Sequence, residues 1–506
     1  MNEKPIFLLL LLLITFFSCK ENKADNEITF KFIQLNDVYE IAPLGGGEFG
    51  GMARVAHVSD SIKKETPNTF LLMAGDFLNP SLLGTIKIDD ERISGKQMIE
   101  VMNAMNFDLV TFGNHEFDIK EDELQKRLNE STFPWMSSNT RHVSDDNTSF
   151  FKVQKEDDTT SVADTYTINI TGANGKEMKI GFLGVTLPSN SKDFVYYGNM
   201  YSESERAYSE LKDKVDLVFG LTHLEIEQDI ELLKIIPEIP LIIGGHDHNS
   251  MSVSVGKSKI TKADANAKTI YIHTLVYNIK TKDVVIDSEL FFINRKIASK
   301  PKVATIVNKW LGILNSKIKE IIKDPNEVIF ITNEPLDGND NANRGVQTNL
   351  GGVITEAMAW SYSYEVDAAL VNGGSIRIDD MLPNRLSSVD IFRTLPFGGG
   401  ILKVAIKGML LKEVLDYGKS KRGTGAYLQR FNITEGAQEE WLIAGEAIDL
   451  NKTYKVAFSD FLLKGYDIPF LTPENKGITS VYKPLKGEIP FDIRKAVILY
   501  LKSLND

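Results

Sequence analysis

Short apolar runs of strand length recur along the first part of the chain, and this recurrence most constrains its fold. Between Ile28 and about Ile297, turn residues and helical patterns separate the runs, an alternation typical of an α/β or α+β domain. The runs are Ile28–Leu35, Phe70–Met73, Leu109–Phe112, Lys179–Val185, Val215–Leu221 and Pro240–Ile243. We therefore predict a layered sheet domain of α/β (α+β) class over this region.

A long helical stripe follows these runs and divides the chain. Residues 302–323 carry apolar side chains at helical spacing, with Pro301 before the stripe and Pro325 after it. A helix bracketed by prolines is a natural connector, so we predict a first domain over 28–298, a linker helix over 299–324 and a second domain over 325–506. The length of 506 residues would allow about three domains, but this pattern favours two.

Charge and cysteine content exclude some functions. The net charge is −12, which argues against binding of a nucleic acid polymer, because phosphate backbones are bound by clustered Lys and Arg. An acidic chain that binds a small anion must use a metal ion or a few placed arginines. Cys19 is the single cysteine, so the chain forms no intrachain disulfide and its chemistry does not rest on a thiol.

The N-terminus carries a targeting pattern. The run Ile6–Phe17 follows Lys4 and precedes Cys19; it is too short for a ~30 Å hydrocarbon core and is typical of a signal peptide. Its end resembles the lipobox of bacterial lipoproteins, which implies a signal peptide over 1–19, lipidation of Cys19, a polar tether over 20–27 and attachment to a membrane. An ordinary secretory signal with a chance cysteine is the alternative.

Polar residues stand at or just beyond the ends of the apolar runs. Strand ends in layered α/β sheets converge on one edge, so these sequence-distant segments are expected to meet in one cleft. They supply carboxylate, amide and imidazole groups, a set that suits Zn, Mn or Fe. The residues are Asp37, Asp76, Asn114, His115, His223, His246 and His248.

Histidine placement supports this cluster. Four of the seven histidines lie in these strand-end motifs. In an extended segment, His246 and His248 would point to one side. We expect the remaining His57, His142 and His273 to be surface or core groups without a metal role.

The order of these motifs closely resembles the 5′-nucleotidase family of two-domain metallophosphatases. The first domain has Asn36-Asp37-Val38-Tyr39, Gly75-Asp76, the hexapeptide GNHEFD at 113–118, Thr222-His223 and GGHDH at 244–248; the second has NGGSIR at 372–377 and LPFGG at 395–399. The resemblance implies a four-layer αββα metallophosphoesterase sandwich, a linker helix and a C-terminal α+β substrate-binding domain.

The resemblance also implies two metal ions and the residues that hold them. Asp76 would bridge the ions, Asp37 and His248 would bind the first, and Asn114, His223 and His246 the second. His115 would contact the phosphoryl oxygens or the leaving group, with Asp118 holding its ring.

One residue departs from the family pattern. The family usually has a histidine where this chain has Tyr39, and period-two geometry places Tyr39 on the same face as Asp37. A phenol has a pKa of ~10 and ligates well only when a strongly Lewis-acidic metal deprotonates it. Either the first metal site is weakened, or it prefers a ferric-like ion bound by phenolate.

The second domain supplies groups for a nucleoside. Phe397 and Phe461 could sandwich a base, since aromatic faces stack on any base; as an alternative, both are core residues. By family resemblance Asp467 would bind the ribose, Asn372 would lie near the base, and Arg344 and Arg377 would contact phosphate or carboxylate. Tyr466 replaces a family glycine, which puts the local loop shape in question.

These observations lead to one expected function and its alternatives. We expect metal-dependent hydrolysis of nucleotides, in particular nucleoside 5′-monophosphates, outside the cytoplasm. The alternatives are a phosphodiesterase for 2′,3′-cyclic nucleotides or nucleotide sugars, hydrolysis of a sulfur-transfer intermediate, and a surface lipoprotein that binds nucleotides without cleaving them.

Overall fold

The computed structural model describes residues 26–505 except 146, 157, 174, 190, 191 and 326. The predicted signal peptide, Cys19 and most of the predicted tether lie outside these residues. Among the residues described, no helix is long and apolar enough to cross a membrane.

Two six-stranded sheets form the centre of the first domain. In spatial order, the strands of the first sheet are Val284–Phe292, Thr269–Asn278, Glu27–Leu35, Thr69–Ala74, Leu109–Thr111 and Trp135–Met136. Those of the second sheet are Thr165–Thr171, Glu177–Leu183, Leu217–Thr222, Leu241–Gly244, Ser258–Lys262 and Met251–Val255. All six predicted apolar runs are strands of these sheets.

The two sheets pack face to face through buried aromatic rings. Phe32 contacts Phe182 and Phe219 of the opposite sheet, with ring centroids 5.5 and 5.1 Å apart. Helices cover the outer faces, and the arrangement is therefore the expected four-layer αββα sandwich. The helices of this domain are Met52–Glu65, Leu82–Thr85, Lys96–Met105, Glu121–Glu130, Met200–Leu211 and Ile226–Ile235.

Parallel pairing sets the position of the site. In the first sheet, Glu27–Leu35, Thr69–Ala74 and Leu109–Thr111 are parallel neighbours, and in the second sheet Leu217–Thr222 and Leu241–Gly244 are parallel neighbours. Parallel strands end at the same edge. The segments that follow these strands carry the predicted metal ligands.

The predicted linker is the helix Pro301–Lys319, which ends four residues earlier than the apolar stripe suggested. It packs against the first-domain helices Met52–Glu65 and Lys96–Met105. The indole of Trp310 is buried and donates a hydrogen bond to Glu100 at 2.8 Å. The linker helix therefore packs against the first domain.

The second domain is built on one mixed sheet. Its strands in spatial order are Leu428–Phe431, Ala368–Asn372, Thr453–Ser459, Ile401–Lys407 and Ile478–Tyr482. Its helices are Asp340–Asn343, Asn349–Trp360, Ser388–Thr394, Gly408–Ser420 and Ile493–Ser503. This is the α+β domain that the resemblance implied.

Small strands complete both domains. In the first domain they are Lys87–Ile88, Glu91–Arg92, Thr140–Ser144, Asn147–Ser149, Lys152–Gln154, Thr159–Ser161 and Val195–Tyr197; in the second they are Val328–Ile331, Leu336–Asp337, Met381–Leu382, Arg385–Ser387, Ile433–Glu435, Trp441–Ile443 and Glu446–Ala447.

Candidate metal centre and substrate cavity

The predicted metal ligands meet at the common edge of the two sheets. Ligating atoms of Asp37, Asp76 and His223 lie within 4.8 Å of one another, and all three side chains are fully buried. His223 Nε2 lies 3.0 Å from Asp76 Oδ2. His248 Nε2 lies 3.2 Å from Asp37 Oδ1. The ring of His246 stands 5.4 Å from that of His223.

The backbone of the ligand segments is left-handed at several positions. The φ angles are 53° at Asp37, 55° at Asp76, 86° at His246 and 60° at His248. Non-glycine residues rarely adopt such angles, and functional sites concentrate them. The extended geometry expected for Asp37–Tyr39 and His246–His248 was therefore wrong, because the strands end at Leu35 and Gly244 and sharp turns follow.

Glycines let these segments approach one another. A Cβ added at Gly113 would lie 2.1 Å from Asp76 Oδ1. One added at Gly245 would lie 2.3 Å from the carbonyl oxygen of Ala74 and 2.8 Å from His223 Nδ1. No side chain fits at either position, so the glycines of the motifs are required by close packing around the ligands.

Tyr39 points into the cluster as predicted, although not through strand geometry. Its hydroxyl lies 2.9 Å from His248 Nε2, 3.4 Å from Asp76 Oδ2 and 3.5 Å from Asp37 Oδ1. Burial, together with the nearby carboxylates of Asp76 and Asp37, raises the pKa of this phenol well above its ordinary value. In the absence of a bound cation the hydroxyl is protonated.

These residues fit a dinuclear metal centre. Asn114 Oδ1 is buried and has no hydrogen-bond partner within the described part of the chain, whereas buried amide oxygens are normally paired. Burial alone would lower the pKa of His223, but the carboxylates of Asp76 and Asp37 raise it to about 9, so the pocket favours a cation. Carboxylate, amide and imidazole donors are the set that binds Zn, Mn or Fe.

His115 and Asp118 form a pair beside the cluster. His115 Nδ1 and Asp118 Oδ2 are 2.8 Å apart, and the backbone N–H of His115 donates to Asp76 Oδ1 at 2.7 Å. Burial alone would lower the pKa of His115, but the carboxylates of Asp76 and Asp118 raise it to about 9. The imidazole is therefore cationic near neutral pH.

Glu116 lies inside the GNHEFD motif, and no role was predicted for it from the sequence. Its buried carboxylate accepts hydrogen bonds from the backbone N–H groups of Asp76, Phe77, Leu78 and Gly113 at 2.8, 2.7, 3.1 and 2.5 Å. Glu116 thereby ties two ligand loops together. The sequence did contain a signal for this role: an acidic residue in a motif that follows a buried strand. A carboxylate buried there needs hydrogen-bond donors.

The predicted substrate residues line one cavity that the second domain forms almost entirely. The cavity has a volume of about 670 Å³, and Arg92 of the first domain also lines it. Arg344, Asn372, Arg377, Phe397, Phe461 and Asp467 all line it. Phe397 is 59% exposed, so its alternative placement in the core was wrong, whereas nearby Phe458 is fully buried.

Polar contacts order the wall of this cavity. Asn372 Nδ2 donates to Asp467 Oδ2 at 2.7 Å, and Arg344 forms an ion pair of 2.5 Å with Asp340. The ring of Tyr466 stands 5.9 Å from that of Phe461 and is 75% exposed. Tyr466 thus extends the aromatic wall outward at the position where the family has glycine.

Contacts between the domains join the cavity to the metal cluster. Arg377 lines the cavity and donates to Asp118 Oδ2 at 3.1 Å. Asp379 accepts, through its backbone oxygen, a hydrogen bond of 2.8 Å from His248 Nδ1. Lys268 pairs with Asp380 at 2.8 Å and Arg393 with Glu40 at 3.4 Å. Asp379, Asp380 and Glu40 were not predicted from the sequence.

The other histidines lie outside the cluster, as expected. His57 is exposed on the helix Met52–Glu65. His142 pairs with Glu121 at 2.6 Å. His273 is buried between Gln34 and Ser288.

Comparisons with known proteins agree with this geometry. Residues 30–250 match the calcineurin-like phosphoesterase family, and residues 328–472 match the 5′-nucleotidase C-terminal domain. The 5′-nucleotidase of Homo sapiens is 25% identical over 427 residues, covering 75% of this chain and 68% of that protein. Protein UshA of Escherichia coli is 23% identical, with 90% of each chain covered.

The chain spans a smaller part of another relative. Endonuclease YhcR of Bacillus subtilis is 24% identical over 480 residues, but the match covers 88% of this chain and only 38% of that protein.

A solved structure with the same fold is the 5′-nucleotidase precursor from Thermus thermophilus. It has a TM-score of 0.63 and 19% identity and covers 94% of this chain and 96% of its own. The 5′-nucleotidase from Candida albicans has a TM-score of 0.58 and 12% identity, covering 94% and 98%.

Fold and site together define a two-domain metallophosphoesterase, a metal-dependent phosphoric ester hydrolase. The chain belongs to the 5′-nucleotidase family.

Proposed function

We propose that the protein hydrolyses nucleoside 5′-monophosphates to nucleoside and phosphate. One observation carries this proposal: the six residues predicted to bind a nucleotide line a single cavity, and one of them, Arg377, contacts Asp118 beside the metal cluster. A base held in the cavity would therefore be joined to a phosphate that faces the cluster.

Seven residues would hold two metal ions. Asp76 would be shared by the ions, Asp37, His248 and Tyr39 would hold the first, and Asn114, His223 and His246 would hold the second. When bound, such an ion pair neutralises phosphate charge and lowers the pKa of water toward neutrality. Zn, Mn and Fe suit these donors.

His115 would act on the phosphate and the leaving group. Asp118 fixes the ring through Nδ1, so Nε2–H is the proton that the imidazolium can donate. With a pKa raised to about 9, His115 carries this proton near neutral pH. It would donate a hydrogen bond to a phosphoryl oxygen as charge develops and supply the proton that the departing alkoxide needs.

The second domain would position the nucleoside. Phe397 and Phe461 stack on the base, Asp467 accepts hydrogen bonds from ribose hydroxyls, and the amide of Asn372 is held against Asp467 near the base. Arg344 adds a planar guanidinium for an anionic oxygen. Each group lies on the cavity wall, so none needs to be recruited from elsewhere.

A phosphate-release assay tests the proposal. Purified protein supplied with Mn²⁺ or Zn²⁺ should convert AMP to adenosine and phosphate, and Asp76→Asn should abolish turnover while the protein stays folded. Parallel reactions with 2′,3′-cyclic AMP and UDP-glucose separate the alternative substrates. Turnover of either of these without turnover of AMP would contradict the proposal, and so would an Asp76→Asn variant as active as wild type.

We also propose that the protein is exported and anchored by a lipid on Cys19. The apolar run Ile6–Phe17 with Cys19 behind it supports this proposal. Radiolabelled palmitate should enter the wild type, and the protein should sediment with membranes. Cys19→Ser should block both, whereas equal labelling of this variant would contradict anchoring at Cys19.

A further inference from the structure

A fully buried lysine lies behind the metal ligands. Lys262 ends the strand Ser258–Lys262 at the carboxyl edge of the second sheet, and its side chain is 0% exposed. An ammonium group has three N–H donors. Three oxygens meet it: the backbone oxygen of Leu224 at 2.5 Å, Asp247 Oδ2 at 2.5 Å and Asp229 Oδ2 at 3.0 Å.

Each partner is tied to a ligand segment. Leu224 follows His223 directly, and Asp247 lies between His246 and His248. Asp229 Oδ1 accepts a hydrogen bond of 2.7 Å from Thr222, the residue before His223. A single ammonium therefore connects the segment that carries His223 with the segment that carries His246 and His248.

The surrounding backbone is shaped for this side chain. A Cβ added at Gly244 would lie 3.0 Å from Lys262 Cε and 3.1 Å from Asp229 Oδ2. Because Gly244 has no side chain, space remains for the side chain of Lys262 and the carboxylate of Asp229. Burial alone would lower the pKa of Lys262, but the carboxylates of Asp229 and Asp247 raise it above its ordinary value, so the group is an ammonium in the folded protein.

A buried ion cluster is a poor device for stability alone. Removing charges from water is costly, and well-packed apolar residues of similar volume often stabilise a protein as much as a buried ion pair, or more. The partners that surround metal ligands, in contrast, orient those ligands and tune metal affinity. The contacts of Lys262 are directed at both ligand segments, which favours the second role.

We propose that Lys262 is a positioning residue of the metal centre. Its ammonium group holds the segment of His223 and the segment of His246–His248 at the spacing that the second metal ion requires. Lys262 acts through Leu224 and Asp247 and does not itself bind the ion. The inference rests on the proposed function only in taking His223 and His246 as ligands of that ion.

Metal binding to apo-protein tests this inference without an activity measurement. Calorimetric titration with Mn²⁺ should give two sites in the wild type. In Lys262→Met the second site should weaken by about 10- to 100-fold, the usual effect of removing an outer partner. The first site takes only His248 from the segments that Lys262 holds, so it should weaken less. Lys234→Met is the matched control, because Lys234 forms an exposed ion pair on the helix that carries Asp229; both of its sites should keep wild-type affinity.

A more conservative substitution tests the same inference if Lys262→Met does not fold. Asp247→Asn keeps the lysine and the shape of the loop, and Asp247 is 21% exposed, so this variant should fold and should also weaken the second site. Two sites of wild-type affinity in either folded variant, with only a lower melting temperature, would overturn the inference. If the wild type binds two ions but releases no phosphate from AMP, this result would contradict the proposed substrate and would leave the proposed role of Lys262 intact.

Discussion

At the scale of single residues, Tyr39 is the main departure from the family pattern. Its hydroxyl occupies the position expected of an imidazole ligand, 2.9 Å from His248 Nε2. Its pKa is raised by burial and by the adjacent carboxylates, so only a strongly Lewis-acidic ion would displace the proton. The metal that the first site prefers therefore depends on the side chain of Tyr39.

We expect Tyr39→Phe to lose ligation at the first metal site. Elemental analysis should show fewer than two ions per chain. Turnover should fall by at least about 10-fold, because loss of a ligand should cost no less than loss of an outer partner of a ligand. Tyr39→His, which restores the family residue, is the matched control and should retain both ions. Loss of a phenolate absorption band in the Phe variant would identify a ferric-like ion. Unchanged metal content and rate in Tyr39→Phe would exclude ligation by the hydroxyl.

Base stacking is a second prediction at the residue scale. Phe461→Ala should raise the KM for AMP by roughly 5- to 150-fold, because stacking of a base on an aromatic ring contributes about 1–3 kcal/mol. The kcat should change less, since Phe461 lies in the cavity and not beside His115. Steady-state kinetics measure both constants. A phosphate ester without a base, such as p-nitrophenyl phosphate, is the control, and an equal rise in its KM would contradict stacking.

The clustering of the proposed ligands could be predicted from sequence because each of these residues follows an apolar run. The residues around them could not be predicted. Glu116, Lys262 and Asp379 act through partners that are distant in sequence or that belong to the backbone. A single sequence shows no such pairing, and it also did not show the left-handed turns at Asp37 and His246.

At the scale of secondary structure, the six predicted apolar runs are parallel strands, whereas the antiparallel strands beside them were not predicted. Buried parallel strands read as continuous apolar runs. Thr269–Asn278 and Val284–Phe292 mix polar and apolar residues, and the latter is a half-exposed edge strand. Thr269–Asn278 pairs with Glu27–Leu35, which joins residues more than 200 positions apart, and Val284–Phe292 pairs in turn with Thr269–Asn278. Composition alone does not reveal such pairing.

The strand Thr269–Asn278 carries a pH-dependent group. His273 is fully buried, and its ring nitrogens contact Ser288 Oγ at 2.9 Å and Gln34 Oε1 at 3.0 Å. Burial, together with nearby Lys259, lowers its pKa from 6.5 to about 3. Between these two values the unfolded chain binds a proton that the folded chain does not. His273 therefore lowers stability as pH falls below 6.5, by up to about 1.4 kcal/mol for each pH unit.

Unfolding at two pH values tests this prediction. The free energy of unfolding of wild type and His273→Gln, measured in urea at about pH 7.5 and about pH 5, should change by different amounts. Wild type should lose more stability on acidification than the variant, because the glutamine binds no proton. A difference between the two proteins that is the same at both pH values would show that His273 does not contribute to acid sensitivity.

At the scale of the whole molecule, polar contacts between described residues join the domains around the cluster. They are Arg377 with Asp118, Lys268 with Asp380, Arg393 with Glu40, and His248 with the backbone oxygen of Asp379. The two-domain layout could be predicted from sequence, whereas these pairings depend on how the domains dock. One of them involves a proposed metal ligand directly.

Adenosine and metal affinity should therefore be linked. Adenosine lacks phosphate, so it reaches the ions only through the second domain. If binding in the cavity stabilises the docked arrangement, saturating adenosine should tighten Mn²⁺ binding about 5-fold or more, and Mn²⁺ should tighten adenosine binding by the same factor. Calorimetric titration measures both. Phe461→Ala at the same adenosine concentration is the control, and identical Mn²⁺ affinity with and without adenosine would contradict the linkage.

The hydrogen bond from His248 to Asp379 has a consequence for modularity. Every proposed metal ligand belongs to the first domain, so this domain looks like a complete catalytic unit that could be moved to a new partner. Yet the outer bond of His248 and the guanidinium on Asp118 come from the second domain. A first domain transplanted alone would carry all its ligands but would lack the carbonyl that orients His248 and the arginine that contacts Asp118. Recombination of such a domain would succeed only with partners that bring an equivalent carbonyl and an equivalent arginine to the same edge.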